Sequence, residues 1–178
     1  MVDGSRLAAL VLPLVLTLLA VGCGGSSRAS LSPPAAAEAL AAIYKLPADR
    51  QACLTRAFAA NKAATRPLAS DAPSSDADLA ALGRVAQACI AASTLADDVV
   101  EGAGGLTPAQ QSCVRAEVGR LKGSDRATLL AGLAVSNSLG DLQRALLGRI
   151  TGGVLDRCHV TLPDLTETDT TPTSASEP

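Results

Sequence analysis

The stretch Leu106-Thr107-Pro108-Ala109-Gln110-Gln111-Ser112-Cys113-Val114 is written as the opening of a helix that carries a cysteine on its apolar face. Thr107 offers the hydroxyl an N-cap needs. Pro108 suits the first helical position, where a backbone N–H would have no intrahelical partner, and Gln110 stands three residues on, at the spacing of a capping box. Cys113, Val114, Val118 and Leu121 then recur at helical intervals. Gly123 is expected to stop this helix, and Ser124 to cap the next, which gathers Leu129, Leu130 and Leu133. A last helix from about Asp141 is expected to bury Leu142, Leu146, Ile150 and Val154, with Gly152-Gly153 as a kink or a close contact.

The same phrase stands sixty positions earlier. Leu46-Pro47-Ala48-Asp49-Arg50-Gln51-Ala52-Cys53-Leu54 shares its leucine, glutamine, cysteine and final aliphatic residue with 106–114. Downstream, Asp78-Leu79 and Leu82-Gly83-Arg84-Val85 before Cys89 match Asp141-Leu142 and Leu147-Gly148-Arg149-Ile150 before Cys158, once a small insertion is allowed. The chain therefore reads as a duplicated unit in which one helix carries a cysteine and a later helix carries another. In the first unit a helix runs from about Pro47 through Cys53, Leu54, Ala57 and Phe58. Thr65 to Ser75, with Pro67 and Pro73, is expected to be a loop. Ser75 or Asp76 caps a helix that places Leu79, Leu82, Val85, Ala86, Cys89 and Ile90 on one face. A short helix over about Ala35 to Lys45 packs across this pair, and Gly102-Ala103-Gly104-Gly105 separates the units.

Composition sets the fold class. Alanine (35 residues) and leucine (27) dominate while β-branched alternation is scarce, which predicts an all-α fold whose small side chains let helices approach closely. Tyr44 and Phe58 are the only aromatic rings. That poverty argues against base-stacking platforms and against the aromatic anchors common in sugar sites, so no nucleic-acid partner is expected. The formal net charge of −2 gives no overall attraction to DNA or anionic lipid. The last residues, 163–178, hold Asp164, Glu167, Asp169 and Glu177 with no basic side chain and many Thr and Ser, which reads as a disordered acidic tail.

The first residues name an address. Leu7 to Val21 carries no charge, follows Arg6 and contains Pro13. As a helix these residues would reach about 22 Å, short of a bilayer's roughly 30 Å hydrocarbon core. Leu19-Ala20-Val21-Gly22-Cys23 resembles the lipobox of bacterial lipoproteins, in which the cysteine thiol is acylated and the leader is cut just before it. The resemblance implies a signal peptide over 1–22, an exported chain anchored by lipid at Cys23 to the extracytoplasmic face of the cell membrane, and a lipidated flexible tether over 23–34, rich in Gly, Ser and Pro. About 155 residues remain, divided into helical unit 1 over 35–101, helical unit 2 over 102–162 and the tail.

An exported chain meets an oxidising compartment, so Cys53, Cys89, Cys113 and Cys158 are most simply two disulfides. Pairing within units would join Cys53 to Cys89 and Cys113 to Cys158, each bridge stapling a helical hairpin. Pairing between units stays open on sequence alone. With its two Leu-x-x-x-x-Gln-x-Cys-aliphatic phrases, the chain also resembles uncharacterised actinobacterial envelope proteins with repeats of this kind. That likeness spans roughly 34–160. It implies two disulfide-bonded helical hairpins in a small bundle and brings no enzymatic precedent.

The chemistry-bearing residues are sparse. His159, the only histidine, adjoins Cys158, and neighbours on a helix point apart, so a surface or C-cap role is expected in place of a Cys-His dyad. The four cysteines lie at least two dozen positions apart, unlike the close pairs of zinc sites, and no metal or other cofactor is expected. Asp97 and Glu101 stand at i, i+4 on a helix beside Asp98 and read as a solvated helix end. Gly102 to Gly105 lacks a preceding strand and a phosphate-binding lysine, which leaves a hinge. No Gly-x-Ser-x-Gly is present. The expected function is a non-enzymatic interaction or scaffold module of the cell envelope, holding a protein or polymer partner; the alternative is a small helical carrier for a lipid or other apolar ligand.

Overall fold

A computed structural model describes residues 30–69 and 73–161. Cys23, the signal segment and the tail lie outside the described residues. All described regular structure is helical: α1 (Pro33–Ile43), α2 (Ala48–Ala60), a 3-10 segment (Lys62–Leu68), α3 (Asp76–Cys89), α4 (Ala92–Ala103), α5 (Pro108–Arg120), α6 (Gly123–Ala134), a 3-10 turn (Ser136–Ser138) and α7 (Asp141–Arg157). No single helix among the described residues is long and apolar enough to cross a membrane.

The duplication is visible in the helix bounds. α2 and α5 begin and end at the same offset of sixty, and their buried pairs coincide: Leu54 with Val114, Phe58 with Val118, all fully buried. Cys53 on α2 bonds Cys89 at the end of α3, and Cys113 on α5 bonds Cys158 just past α7, with Cα atoms 5.7 and 5.6 Å apart. Both bridges therefore lie within units. The units interlock all the same. α3 packs along α6 and α4 along α5, so a single apolar core gathers residues of both halves, from Leu40 and Leu82 to Leu130 and Val154.

Local signals explain most element ends. Thr107 Oγ1 accepts from Gln110 N at 3.3 Å while Gln110 Oε1 accepts from Thr107 N at 3.0 Å, the reciprocal capping box. Ser75 Oγ accepts from Asp78 N at 3.2 Å and starts α3. α1 and α7 both end with a residue in the left-handed region, Lys45 (φ 50°) and His159 (φ 52°). In each case two backbone bonds close the terminus: Leu46 N to Ala41 O with Lys45 N to Ala42 O, and Val160 N to Leu155 O with His159 N to Asp156 O. This is the Schellman arrangement, built here without the usual glycine.

Several expectations are corrected. Pro33 and Pro34, expected at the end of a tether, are helical: Ser32 Oγ accepts from Ala35 N at 3.4 Å, and the two prolines form the first turn of α1, where their missing N–H groups cost nothing. The expected loop from Thr65 is occupied as far as Leu68 by 3-10 helix, with Thr65 buried. Gly123 does not stop a helix; it begins α6, whose N-cap is Lys122 and not Ser124. On α7 Val154 is buried, but Leu142 is 87% exposed and Leu146 39%. α7 makes its buried contacts through Val154 and Leu155 at its C-terminal end, so its first turns stand proud of the core.

Gly83 fixes the α3–α6 crossing. A Cβ there would come within 2.5 Å of the Ala127 carbonyl oxygen and 2.9 Å of its carbon, both backbone atoms that cannot swing aside. Ordinarily Gly→Ala in a helix gains up to about 1 kcal/mol. Gly83→Ala is expected to destabilise instead, by about 1–3 kcal/mol, because the helices must part. Gly148→Ala, whose Cβ meets nothing within 4 Å, is the control expected to stabilise. Urea midpoints of the two variants check the contrast.

Tyr44 offers a second test. Its hydroxyl, buried, donates to the Leu130 carbonyl at 2.7 Å and ties α1 to α6. Burial first, and the Asp98 carboxylate second, push its ionisation well above the ordinary phenol range. The folded state thus holds the phenol neutral while the unfolded chain ionises near pH 10. Stability from this linkage is complete below about pH 10 and declines as pH rises above it. Tyr44 is the chain's only tyrosine. An absorbance titration of phenolate should therefore stay flat in the native protein until unfolding begins, and a normal native titration near pH 10 would contradict the buried bond.

Candidate functional site

An open, largely apolar groove lies between α3, α6 and α7. α3 turns Leu79, Ala80 and Arg84 toward it at helical spacing, and α6 contributes Ala127, Thr128, Ala131 and Gly132. Leu146 and Leu147 of α7, with Leu139 before it, form the facing wall. Together they line an open groove of about 430 Å³. Small residues make the hollow. The interlock at Gly83 brings α3 and α6 together, Gly132 lets Leu147 rest with its Cδ1 2.9 Å from where a Cβ would stand, and Ala80, Ala127 and Ala131 add little bulk above that seam.

The two ends of the groove differ. At one end Gln143 Nε2 donates to Asp76 Oδ1 at 2.8 Å and to Ser74 O at 3.0 Å, while Gln143 Oε1 accepts from Gly140 N at 2.9 Å, which closes that end with satisfied polar groups. At the other stand Arg84, Gln87, Ser124 and the first turn of α6. Arg84 is exposed and makes no hydrogen bond or ion pair among the described residues. Asp76 and Arg84 are eight residues apart on one helix, so the two ends lie about 12 Å apart along α3, and Gln87 extends the groove to about 16 Å.

The residues singled out from sequence lie elsewhere. Cys53, Cys89, Cys113 and Cys158 form the two bridges. His159 is exposed, and its carbonyl accepts from Gln110 Nε2 at 3.1 Å, so the C-terminal turn of α7 is tied to the capping box of α5. The acidic residues of α4 are shared between cations of two neighbours: Asp97 accepts from Arg115 Nε at 2.8 Å, and Glu101 from Lys45 Nζ at 2.9 Å. Burial, then Glu101, raises the Asp98 carboxyl above its ordinary range, against the opposing pull of Lys45. Glu117, held between Arg157 and Arg120, stays below the usual carboxylate range through those hydrogen bonds. Gly104 and Gly105 adopt φ of 59° and 58°, the left-handed backbone that ends α4 and turns the chain into α5. Among the described residues no group of three or more His, Cys, Asp or Glu side chains could hold a metal ion.

The groove was not legible in the sequence. Its outward signal is Leu146, which helical periodicity assigns to the core and which the structure leaves exposed on the groove wall; Leu142, also exposed, lies outside it.

In comparisons with known proteins, no family model, no curated protein and no solved structure matches this chain.

Proposed function

We propose that this chain is a non-enzymatic binding module of the cell envelope, exported, tethered to the membrane by lipid at Cys23, and presenting the α3–α6–α7 groove as its binding face. The observation that carries the reading is the groove itself, a formed apolar channel with the exposed Leu146 on its wall. Exposed apolar surface gathered beside a groove is how interaction sites commonly differ from ordinary protein surface. Two disulfides in so small a chain suit an oxidising, extracytoplasmic compartment. The lipobox-like Leu19 to Cys23 supplies the anchor, and the envelope setting agrees with the repeats' likeness to actinobacterial envelope proteins.

A second reading, a small carrier for an apolar ligand, is favoured by the groove's size, since about 430 Å³ falls among sites that take small molecules. Affinity capture of the anchored full chain from detergent-treated envelopes tests the first reading. Ala80 is exposed and lines the groove, so Ala80→Phe fills it without disturbing the core. A component captured by the native chain and lost with Ala80→Phe supports the binding face. Identical captures from the two chains would remove it.

A further inference from the structure

We infer that the groove between α3, α6 and α7 holds a single-chain fatty acid, its alkyl chain along the Ala and Leu walls and its carboxylate at Arg84. The inference rests on the groove being a binding face and names what occupies it.

Polarity is the first argument. Two charged residues line the groove, Asp76 and Arg84, and they sit at opposite ends. Asp76 is already engaged by Gln143, whereas Arg84 has no partner among the described residues. The unused charge is therefore positive and stands at one end only. A carboxylate placed there would accept two N–H bonds from the guanidinium fork, and the Gln87 amide lines the same end as a further donor, beside Ser124, whose hydroxyl donates to Asp125 at 3.4 Å. The first turn of α6 lies at the same end with no side chain capping it, its partial positive charge offset by Asp125.

Shape is the second. The body of the groove, between those ends, is built of Leu79, Ala80, Ala127, Ala131, Leu146 and Leu147 and offers an acyl chain no hydrogen-bonding obligation. Its length along α3 is about 16 Å, comparable with an extended dodecyl chain, and its volume is that of a small-molecule site. A single chain with one anionic end matches this outline. A cationic amphiphile would meet Arg84 with like charge, and a neutral one would leave the guanidinium unused.

Dodecanoate titrated into the oxidised full chain, followed by methyl NMR, tests the assignment. Saturable shifts are expected at the methyls of Leu79, Leu146 and Leu147 and not at those of Leu54, which is buried and does not line the groove, with dodecanoate binding about ten-fold tighter than dodecanol. Arg84→Gln should make the two ligands equal while leaving dodecanol binding unchanged. Ala80→Phe should abolish both, with the Leu40 and Leu54 methyl signals in their native positions to report an intact fold. The inference is overturned by absent or non-saturable shifts at the groove, by equal affinity of the native chain for acid and alcohol, or by a preference that survives Arg84→Gln. If the acid fails to bind while Ala80→Phe still abolishes capture of an envelope component, the binding face stands and the fatty-acid occupant does not.

Discussion

Removing both disulfides is expected to unfold the helical core. Cys53 and Cys89 are 36 residues apart and Cys113 and Cys158 are 45 apart, and closing loops of those lengths constrains the unfolded chain by about 4 kcal/mol each on a chain-entropy estimate. Net stabilities of ordinary domains are about 5–15 kcal/mol, so the pair accounts for much of what holds this one. Its core is poor in large side chains, with alanine at many of the buried positions and Phe58 the only buried phenylalanine, which leaves little apolar area to compensate. Circular dichroism at 222 nm under a denaturant gradient, oxidised against reduced, measures the loss. Cys113→Ser alone should lower stability by about 4 kcal/mol and leave Cys158 open to alkylation after unfolding while Cys89 stays protected. Alkylation of Cys89 in that variant would contradict the observed pairing.

Phe58→Ala carries the second large effect. Phe58 is fully buried on α2, one turn beyond Leu54, and it is the largest of the fully buried side chains. Truncation to alanine is expected to cost about 3–5 kcal/mol, the lost transfer free energy plus the cavity left behind. The duplicated position gives an internal comparison. Val118, a smaller side chain, occupies the same place on α5 and is also fully buried. Val118→Ala removes less volume and should cost less, while Val118→Phe should destabilise by overpacking, by about 1–3 kcal/mol. Denaturant midpoints at constant slope would report all three, and a Phe58→Ala loss under 1 kcal/mol would mean that the first unit closes over the gap.

The features readable from sequence are those decided by a few adjacent residues. Thr107, Pro108 and Gln110 specify a helix start whatever lies around them, as does Ser75 before α3, and the sixty-residue offset pairs the two phrases without reference to packing. Ser32-Pro33-Pro34 carries the same kind of signal, an N-cap followed by prolines, but its serine and prolines equally suit a linker that continues the Gly- and Ser-rich residues before it. Gly123 was ambiguous for a related reason. Glycine after an apolar run usually marks a helix end, whereas here α5 finishes at Arg120 and the glycine opens α6, close to Gln87 of α3.

What the sequence could not convey is tertiary. Leu142 and Leu146 satisfy the helical period of a core face, yet α7 meets the bundle through Val154, Leu155 and Leu147, and nothing local announces which turns of a helix touch a neighbour. The groove follows from that choice and from Gly83, whose role appears only when Ala127 is placed across from it. Within the two Schellman termini, Lys45 and His159 stand where glycine is the usual marker, so those ends left no trace in the residue types.

Everything proposed about this chain depends on its leaving the cytosol and being held at the membrane with its sulfurs oxidised. Intact mass and disulfide mapping of the protein isolated from its native envelope test that together. The expected result is a chain that begins at an acylated Cys23, holds no free thiol, and yields the linked pairs Cys53–Cys89 and Cys113–Cys158. An unprocessed chain that retains Met1, carries no acyl group and titrates with free thiols at those four positions would contradict it.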